Sequence, residues 1–343
     1  MGYVLLAILL FGILIFIHEL GHYLTARLFK VKINEFSIGM GPKLISKKSE
    51  KTGTSYSLRL LPIGGFVSME GEDAESEDDG AFGKKPVWQR IIITAAGSVS
   101  NILLGFLVMA IITANTTLTS TTVSGFAANA ISSESLEVGD KITRIGDQNT
   151  FTAQDVIYAI SRYGKEPTNV TVVRNGEKTT LTVSFGTTTE AGHTFGVRDF
   201  NFYTEKDLDN ANLFTFIGHS FCQSRLMIRM VWDSLHDLIV GEYGLKDLSG
   251  PVGVTGVISE AARHQDGTVW FYFVLIAMNL GVVNLLPFPA LDGGRIVFML
   301  IELVTRKKVP QKIEGIIHTV GIIILLLFMA VITFKDIIQL IKK

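Results

Sequence analysis

The chain has 343 residues, 48% hydrophobic and only 18% charged, with a formal net charge of −1 and a single cysteine, Cys222. Soluble domains average roughly 25% charged residues, so much of the chain is expected in lipid, in line with its mean hydropathy of +0.37. The near-zero charge gives no basis for nucleic-acid binding, and one cysteine excludes an internal disulfide.

About 20 apolar residues cross a bilayer as a helix, and four stretches qualify: 3–28, 91–114, 269–289 and 313–334. The first lacks a positive leader and a small-residue cleavage site, so it is expected to remain as a membrane segment. The second carries Gly97, Ser98, Ser100 and Gly105, small residues that suit close helix approach. The loop after the first stretch is rich in lysine (Lys30, Lys32, Lys43, Lys47, Lys48, Lys51, Lys84, Lys85), and the loop before the fourth adds Arg306, Lys307, Lys308 and Lys312. The positive-inside rule then places both loops in the cytoplasm and both termini outside, with Lys342 and Lys343 weighing weakly against this.

The expected division is a first transmembrane helix (1–30), a cytoplasmic loop with a membrane-edge β-hairpin (31–90), a second helix (91–114) and a small mixed domain (115–203). An amphipathic helical region (204–268), a third helix (269–294), a cytoplasmic loop (295–312) and a fourth helix (313–335) follow. Within 115–203, "NVTVVRNGEKTTLTVSF" reads as a hairpin turning at Asn175-Gly176, and "TAQDVIYAISRY" has helical spacing. The amphipathic region lies on the membrane surface or packs against the small domain; the sequence leaves both readings open. "EGEDAESEDDG" reads as a solvated acidic turn. Arg295 is expected to reach the inner surface. His193, His219, His236 and His264 show no ligand spacing, and His318, alone in the fourth stretch, reads as a helix-packing contact.

The chemistry begins with "FIHELGHYLTARLF". An ionisable group inside an apolar span is costly, yet His18, Glu19 and His22 sit together there. His18 and His22 are four apart and share one helix face, a spacing that lets both imidazoles hold one zinc ion, with Glu19 placed as general base rather than ligand. Catalytic zinc usually has three protein ligands. The extended soluble motif would need Gly at 25 and His at 28, where Thr25 and Leu28 stand, so that arrangement is excluded. The third ligand must come from elsewhere. The first and third spans run in the same direction, and Asp292 in "NLLPFPALDGGRI" falls at the inner end of the third, at a depth matching His18 and His22. Alone, Asp292 reads as an ordinary turn residue; beside an incomplete zinc site it becomes the candidate ligand. Pro287 and Pro289 break the helix there, and Gly293-Gly294 permit a sharp turn.

HELGH and NLLPFPALDGG resemble the site-2 protease family of intramembrane zinc metalloproteases, most nearly the bacterial regulator-of-sigma-E protease type with one PDZ domain. The likeness runs on through "GMGP", "RLLPIGGFVSM" and "SGPVG" at 249–253. It implies a polytopic α-helical membrane protein: four transmembrane helices, a membrane-associated β-hairpin and an extracytoplasmic PDZ-like α+β domain. His18, His22 and Asp292 would bind Zn2+, Glu19 would be the catalytic base, and Asn279 and Asn284, with Pro287, would handle substrate. Helix–helix hydrogen bonding is the plainer reading of the two asparagines. The implied activity is hydrolysis within the transmembrane segments of single-span membrane proteins, such as anti-sigma factors or remnant signal peptides. It would take place in a bacterial cell membrane, among lipid, with the active site near the cytoplasmic face. One departure is "AGSVSN", where Ser98 replaces the family's proline and Asn101 is kept. Two other functions compete. A membrane zinc protease for soluble or lipidated peptides commonly takes a downstream glutamate as third ligand, and a scaffold with structural zinc would not need Glu19.

Overall fold

A computed structural model describes residues 2–72, 74–190, 192–207, 212–244, 247–264 and 267–342, without the side chains of Pro62, Ile63, His264, Leu340 and Lys342. Lys343, weighed above for topology, lies outside the described residues, as does the side chain of His264. In chain order the elements are α1 (Gly2–Leu28), β1 (Ile33–Lys48), β2 (Ser55–Met69), α2 (Val87–Ala114), β3 (Thr119–Phe126), β4 (Lys141–Ile145), β5 (Gln148–Asn149) and α3 (Ala153–Tyr163). Then come β6 (Thr168–Arg174), β7 (Glu177–Val183), β8 (Gly186–Glu190), β9 (His193–Val197), β10 (Phe200–Thr204), α4 (Leu213–Val240), α5 (Pro251–His264), α6 (Thr268–Asn284), α7 (Asp292–Thr305) and α8 (Gln311–Lys342). The chain divides into two compact units, Met1–Gly105 with Ile228–Lys343, and Phe106–Met227.

Three helices among the described residues are long and apolar enough to cross a membrane: Gly2–Leu28, Val87–Ala114 and Gln311–Gln339. The expected third helix over 269–294 is shorter. It ends at Asn284 after 17 residues, a rise of about 25 Å. Leu285 and Leu286 donate back to Val282 and Val283, the chain turns through 285–291, and Asp292 opens a new helix rather than ending the old one. The cause is local, because Pro287 and Pro289 have no N–H to continue the ladder and disfavour helical geometry in the residues before them.

In the first unit the small residues of α2 set the spacing. A Cβ at Gly21 of α1 would lie within 2.8 Å of the Ala96 backbone, and a Cβ at Gly281 of α6 would meet the Ser98 carbonyl at 2.9 Å. Helices without side chains at such crossings approach closely, which is how association is won where lipid is as apolar as the helices. Strands β1 and β2 form more than a plain hairpin. Residues 33–38 pair on one side with 65–69 and on the other with 55–58, and 55–58 pairs in turn with 45–48. Glycines 39, 41 and 64, all at positive φ, allow the fold-back. The sheet's far end exposes Ile38, Met40, Leu44, Ile45, Leu60 and Leu61. Its near end is fastened by a cluster of Tyr23, Ile33, Phe36, Met69, Phe82, Ile93 and Met299.

The acidic turn keeps Glu75, Glu77 and Asp79 exposed, as a solvated turn should, while Glu70, Glu72 and Asp78 have partners. Glu70 accepts from Asn34 and Ser76, Asp78 accepts from Lys32 at 2.6 Å, and Glu72 ion-pairs with Arg295. Arg295 is partly exposed and meets the Glu72 carboxylate.

The second unit holds a sheet ordered β10-β3-β4-β6-β7, with β5 beside β4 and a separate β8-β9 pair. The β6-β7 turn falls at Asn175-Gly176, both at positive φ as an N-G turn requires. Thr152 and Asp155 form a capping box at the start of α3. Val123, Ile142, Ile145, Val156, Ile160, Val170, Val172 and Val183 make the core.

Candidate metal centre

Helix α1 carries His18 and His22 on one face, one turn apart, each only 9% exposed. His22 Nδ1 donates to the Ile93 carbonyl of α2 at 2.9 Å, which leaves Nε2 with its lone pair facing inward. The Asn101 side-chain amide, also on α2, lies 3.4 Å from His18 Nδ1. The two Nε2 atoms then face each other at 3.2 Å. Asp292, first residue of α7, closes the group, its Oδ2 3.2 Å from His18 Nε2 and 3.4 Å from His22 Nε2.

This triangle fits a metal better than a hydrogen-bonded trio. Ligand atoms about 2.1 Å from a tetrahedral zinc stand about 3.3–3.5 Å apart, close to the separations found. The buried Asp292 Oδ2 makes no geometrically acceptable hydrogen bond, although two ring nitrogens lie beside it. The space itself is left open by Gly97 of α2, where a Cβ would fall on His22 Nε2 and within 2.8 Å of His18 Nε2. Gly97 was expected only to let helices approach; it also keeps the cradle clear. His18, His22 and Asp292 are the described acidic, histidine or cysteine residues so grouped.

Glu19 turns to the other side of the cradle, against β2. A Cβ at Gly65 would lie 3.2 Å from its Cγ. Among the described pairings, segment 65–69 pairs with 33–38. Asn279 is exposed on α6 and lines an apolar groove of about 710 Å³, together with Phe11, Ile15, Val254, Tyr272 and Phe328. Asn284 is the half-buried last residue of α6, and Pro287 is exposed in the following turn. The structure thus brings His18, His22 and Asp292 together, with Glu19 adjoining through α1, while Asn279 stands along the groove.

The turn that delivers Asp292 is tightly wound. A Cβ on Gly293 would collide with the carbonyls of Leu285 and Leu286, and one on Gly294 with that of Phe288. The glycine pair of LDGG is therefore a packing requirement as well as a turn signal. Helix α7 is tied to α2 by Arg90 and Glu302 at 2.7 Å, a largely buried pair. Two polar residues of α8 that sequence reasoning left as packing or passed over also have specific partners. His318 Nδ1 accepts from Ala290 N–H at 3.2 Å. Asp336 Oδ2 accepts from the N–H groups of Gly250 and Gly253 at 2.8 Å each, capping α5 from outside.

The signature of Peptidase family M50 matches residues 6–328. Full-length relatives accompany it. A Clostridium acetobutylicum protein, described only provisionally as a zinc metalloprotease, is 34% identical over 98% of this chain and 97% of its own length. The zinc metalloprotease RasP of Geobacillus kaustophilus is 29% identical over 96% of each chain. The regulator of sigma-W protease RasP of Bacillus subtilis is 28% identical over 96% of this chain and 97% of its own. With the signature covering nearly its whole length, the chain belongs to Peptidase family M50.

Proposed function

We propose that the chain is a zinc endopeptidase that hydrolyses peptide bonds within the membrane-spanning segments of single-span membrane proteins, anti-sigma factors and remnant signal peptides being the substrate classes considered. The observation that carries the reading is the triangle of His18 Nε2, His22 Nε2 and Asp292 Oδ2 at 3.2–3.4 Å, sunk among apolar helices. His18, His22 and Asp292 are its ligands. A zinc ion held there would supply Lewis acidity toward a bound water and the scissile carbonyl. Glu19 takes the water's proton and returns it to the leaving amide nitrogen.

A transmembrane substrate hides its carbonyls in its own helix, and each freed backbone group costs several kcal/mol in lipid unless paired again. Two features support such pairing. Residues 65–69 pair with 33–38 and lie against Glu19 at Gly65, where an extended peptide can be added as a further strand. Asn279 in the groove and Asn284 at the end of α6 each offer a donor and an acceptor, and Pro287 follows in the adjoining turn. The groove's apolar walls suit a lipid-soluble segment.

The topology proposed with this reading has four crossings, the short α6 included, both termini outside and the β1-β2 sheet and α7 on the cytoplasmic side of a bacterial cell membrane. The domain over 115–203 is then extracytoplasmic and PDZ-like, supported by its small mixed fold with one capped helix. The Bacillus subtilis relative is named for the control of a sigma factor, which fits release of such a factor by cutting a membrane-anchored inhibitor.

The test is to express the wild type or Glu19→Gln beside tagged single-span proteins with short external parts. Wild type should yield products cut inside the span, and the variant should leave the substrate intact while keeping its zinc. Cuts confined to soluble flanks, or cleavage undiminished by Glu19→Gln, would overturn the proposal. Asn284→Leu should lower turnover with zinc content unchanged.

A further inference from the structure

The three ligands are not held alike. His18 and His22 ride on one regular helix, so their spacing is set by helical geometry. Asp292 instead follows the irregular turn 285–291, and its aim depends on that turn keeping one shape. Ala290, two residues before it, stands at φ +87, left-handed backbone that an L side chain rarely adopts. Its N–H is half-buried and follows a proline, in a turn where the backbone ladder is broken, so it needs a partner.

That partner is the ring of His318, whose Nδ1 accepts the Ala290 N–H at 3.2 Å. The same face of α8 carries Gly321 three residues on, where a Cβ would fall on the Pro289 ring and carbonyl. The imidazole also contacts Phe298 of α7, ring centroids 6.0 Å apart, so it is wedged between the turn and the helix that the turn begins. We propose that His318 is a positioning residue for the metal centre: by accepting from Ala290 it pins the left-handed turn that aims Asp292 at His18 and His22. The inference rests on the metal reading above, but it concerns residues 28 positions apart, neither of them a ligand.

The experiment compares His318→Asn, His318→Gln and His318→Leu in detergent-purified full-length protein, reading zinc affinity by competition with a chelator and the thermal midpoint of the zinc-free form. Asparagine can set an acceptor oxygen near the place of Nδ1, glutamine sets it farther out near Nε2, and leucine has none. His318→Leu and His318→Gln should weaken zinc binding on the order of 10- to 100-fold, as loss of an outer partner does, while His318→Asn stays within about threefold of wild type. The zinc-free midpoints of the three variants should not follow that order. Equal affinity in all three variants, or affinities that merely track the zinc-free midpoints, overturns the proposal. Failure of the wild type to bind zinc would instead sink the metal reading itself.

Discussion

The two units of this chain are built inside out relative to each other. In the Phe106–Met227 unit, Val123, Ile142, Ile145, Val170 and Val172 are fully buried, while the first residues of β7, Glu177, Lys178, Thr179 and Thr180, face outward. In the helical unit, Leu326 and Leu327 of α8 are more than 60% exposed, while His18, His22, Asn101 and Asp336 are buried. Water explains the first pattern and lipid the second. The contrast teaches where to look for chemistry. In the small unit burial marks packing; in the helical unit a buried polar side chain is costly unless partnered. The partners found there are the other members of the candidate metal group, helix ends and turn amides.

This contrast predicts separable damage. Ile142→Ala removes a wholly buried side chain from the sheet core and should cost the small unit about 2–5 kcal/mol. Thermal unfolding followed by tryptophan-independent probes within 119–204 should show the loss, with zinc content of the full chain unchanged. Loss of zinc would mean that the two patterns of burial are energetically one. Gly97→Ala adds a single methyl group in the helical unit, where it lands on His22 Nε2 and against His18 Nε2. Displacing them by about 1 Å should lower kcat/KM on the order of 100-fold and weaken zinc, with the small unit's unfolding unaltered. Wild-type affinity in Gly97→Ala would show that the cradle has room the geometry denies.

The smallest effect lies in the β1-β2 sheet, between the two patterns. Burial pushes the Glu35 carboxyl up, but hydrogen bonds from Ser57, Lys43 and Arg59 outweigh it and hold its pKa at about 2, below the ordinary 4.5. A carboxyl with a depressed folded pKa contributes stability above its unfolded value and loses it as pH falls toward the folded one. Amide exchange in 33–38 and 55–58 should therefore quicken as pH drops from about 4.5 to 2 beyond the intrinsic trend, and Glu35→Gln should remove that pH dependence. Identical profiles for both proteins would contradict the assignment.

Much of the site is legible in the sequence because its signals are local or exceptional. His18 and His22 announce themselves by a four-residue spacing in an apolar helix, and Asp292 by Pro and Gly flanks that interrupt another apolar run. The same prolines mark the break that ends α6, although only the structure places Asp292 at the start of α7. Strands β1 and β2 are visible as alternating residues, but their fold-back depends on pairings between distant halves, hinted at only by Gly39, Gly41 and Gly64. The ion pairs of the acidic stretch with Lys32 and Arg295 left no mark in the sequence, because those partners are remote along the chain. His318 was invisible as a positioning group, since it binds a backbone N–H that no side-chain pattern marks.

The central claim is that one metal ion is held jointly by α1 and the start of α7. Elemental analysis of detergent-purified wild type and Asp292→Ala, with cleavage of one single-span substrate followed in parallel, tests it most directly. Near-stoichiometric zinc in the wild type, and loss of both zinc and cleavage in the variant, is the expected result. A wild type that cleaves without zinc, or an Asp292→Ala protein that keeps zinc and cleaves normally, would contradict it.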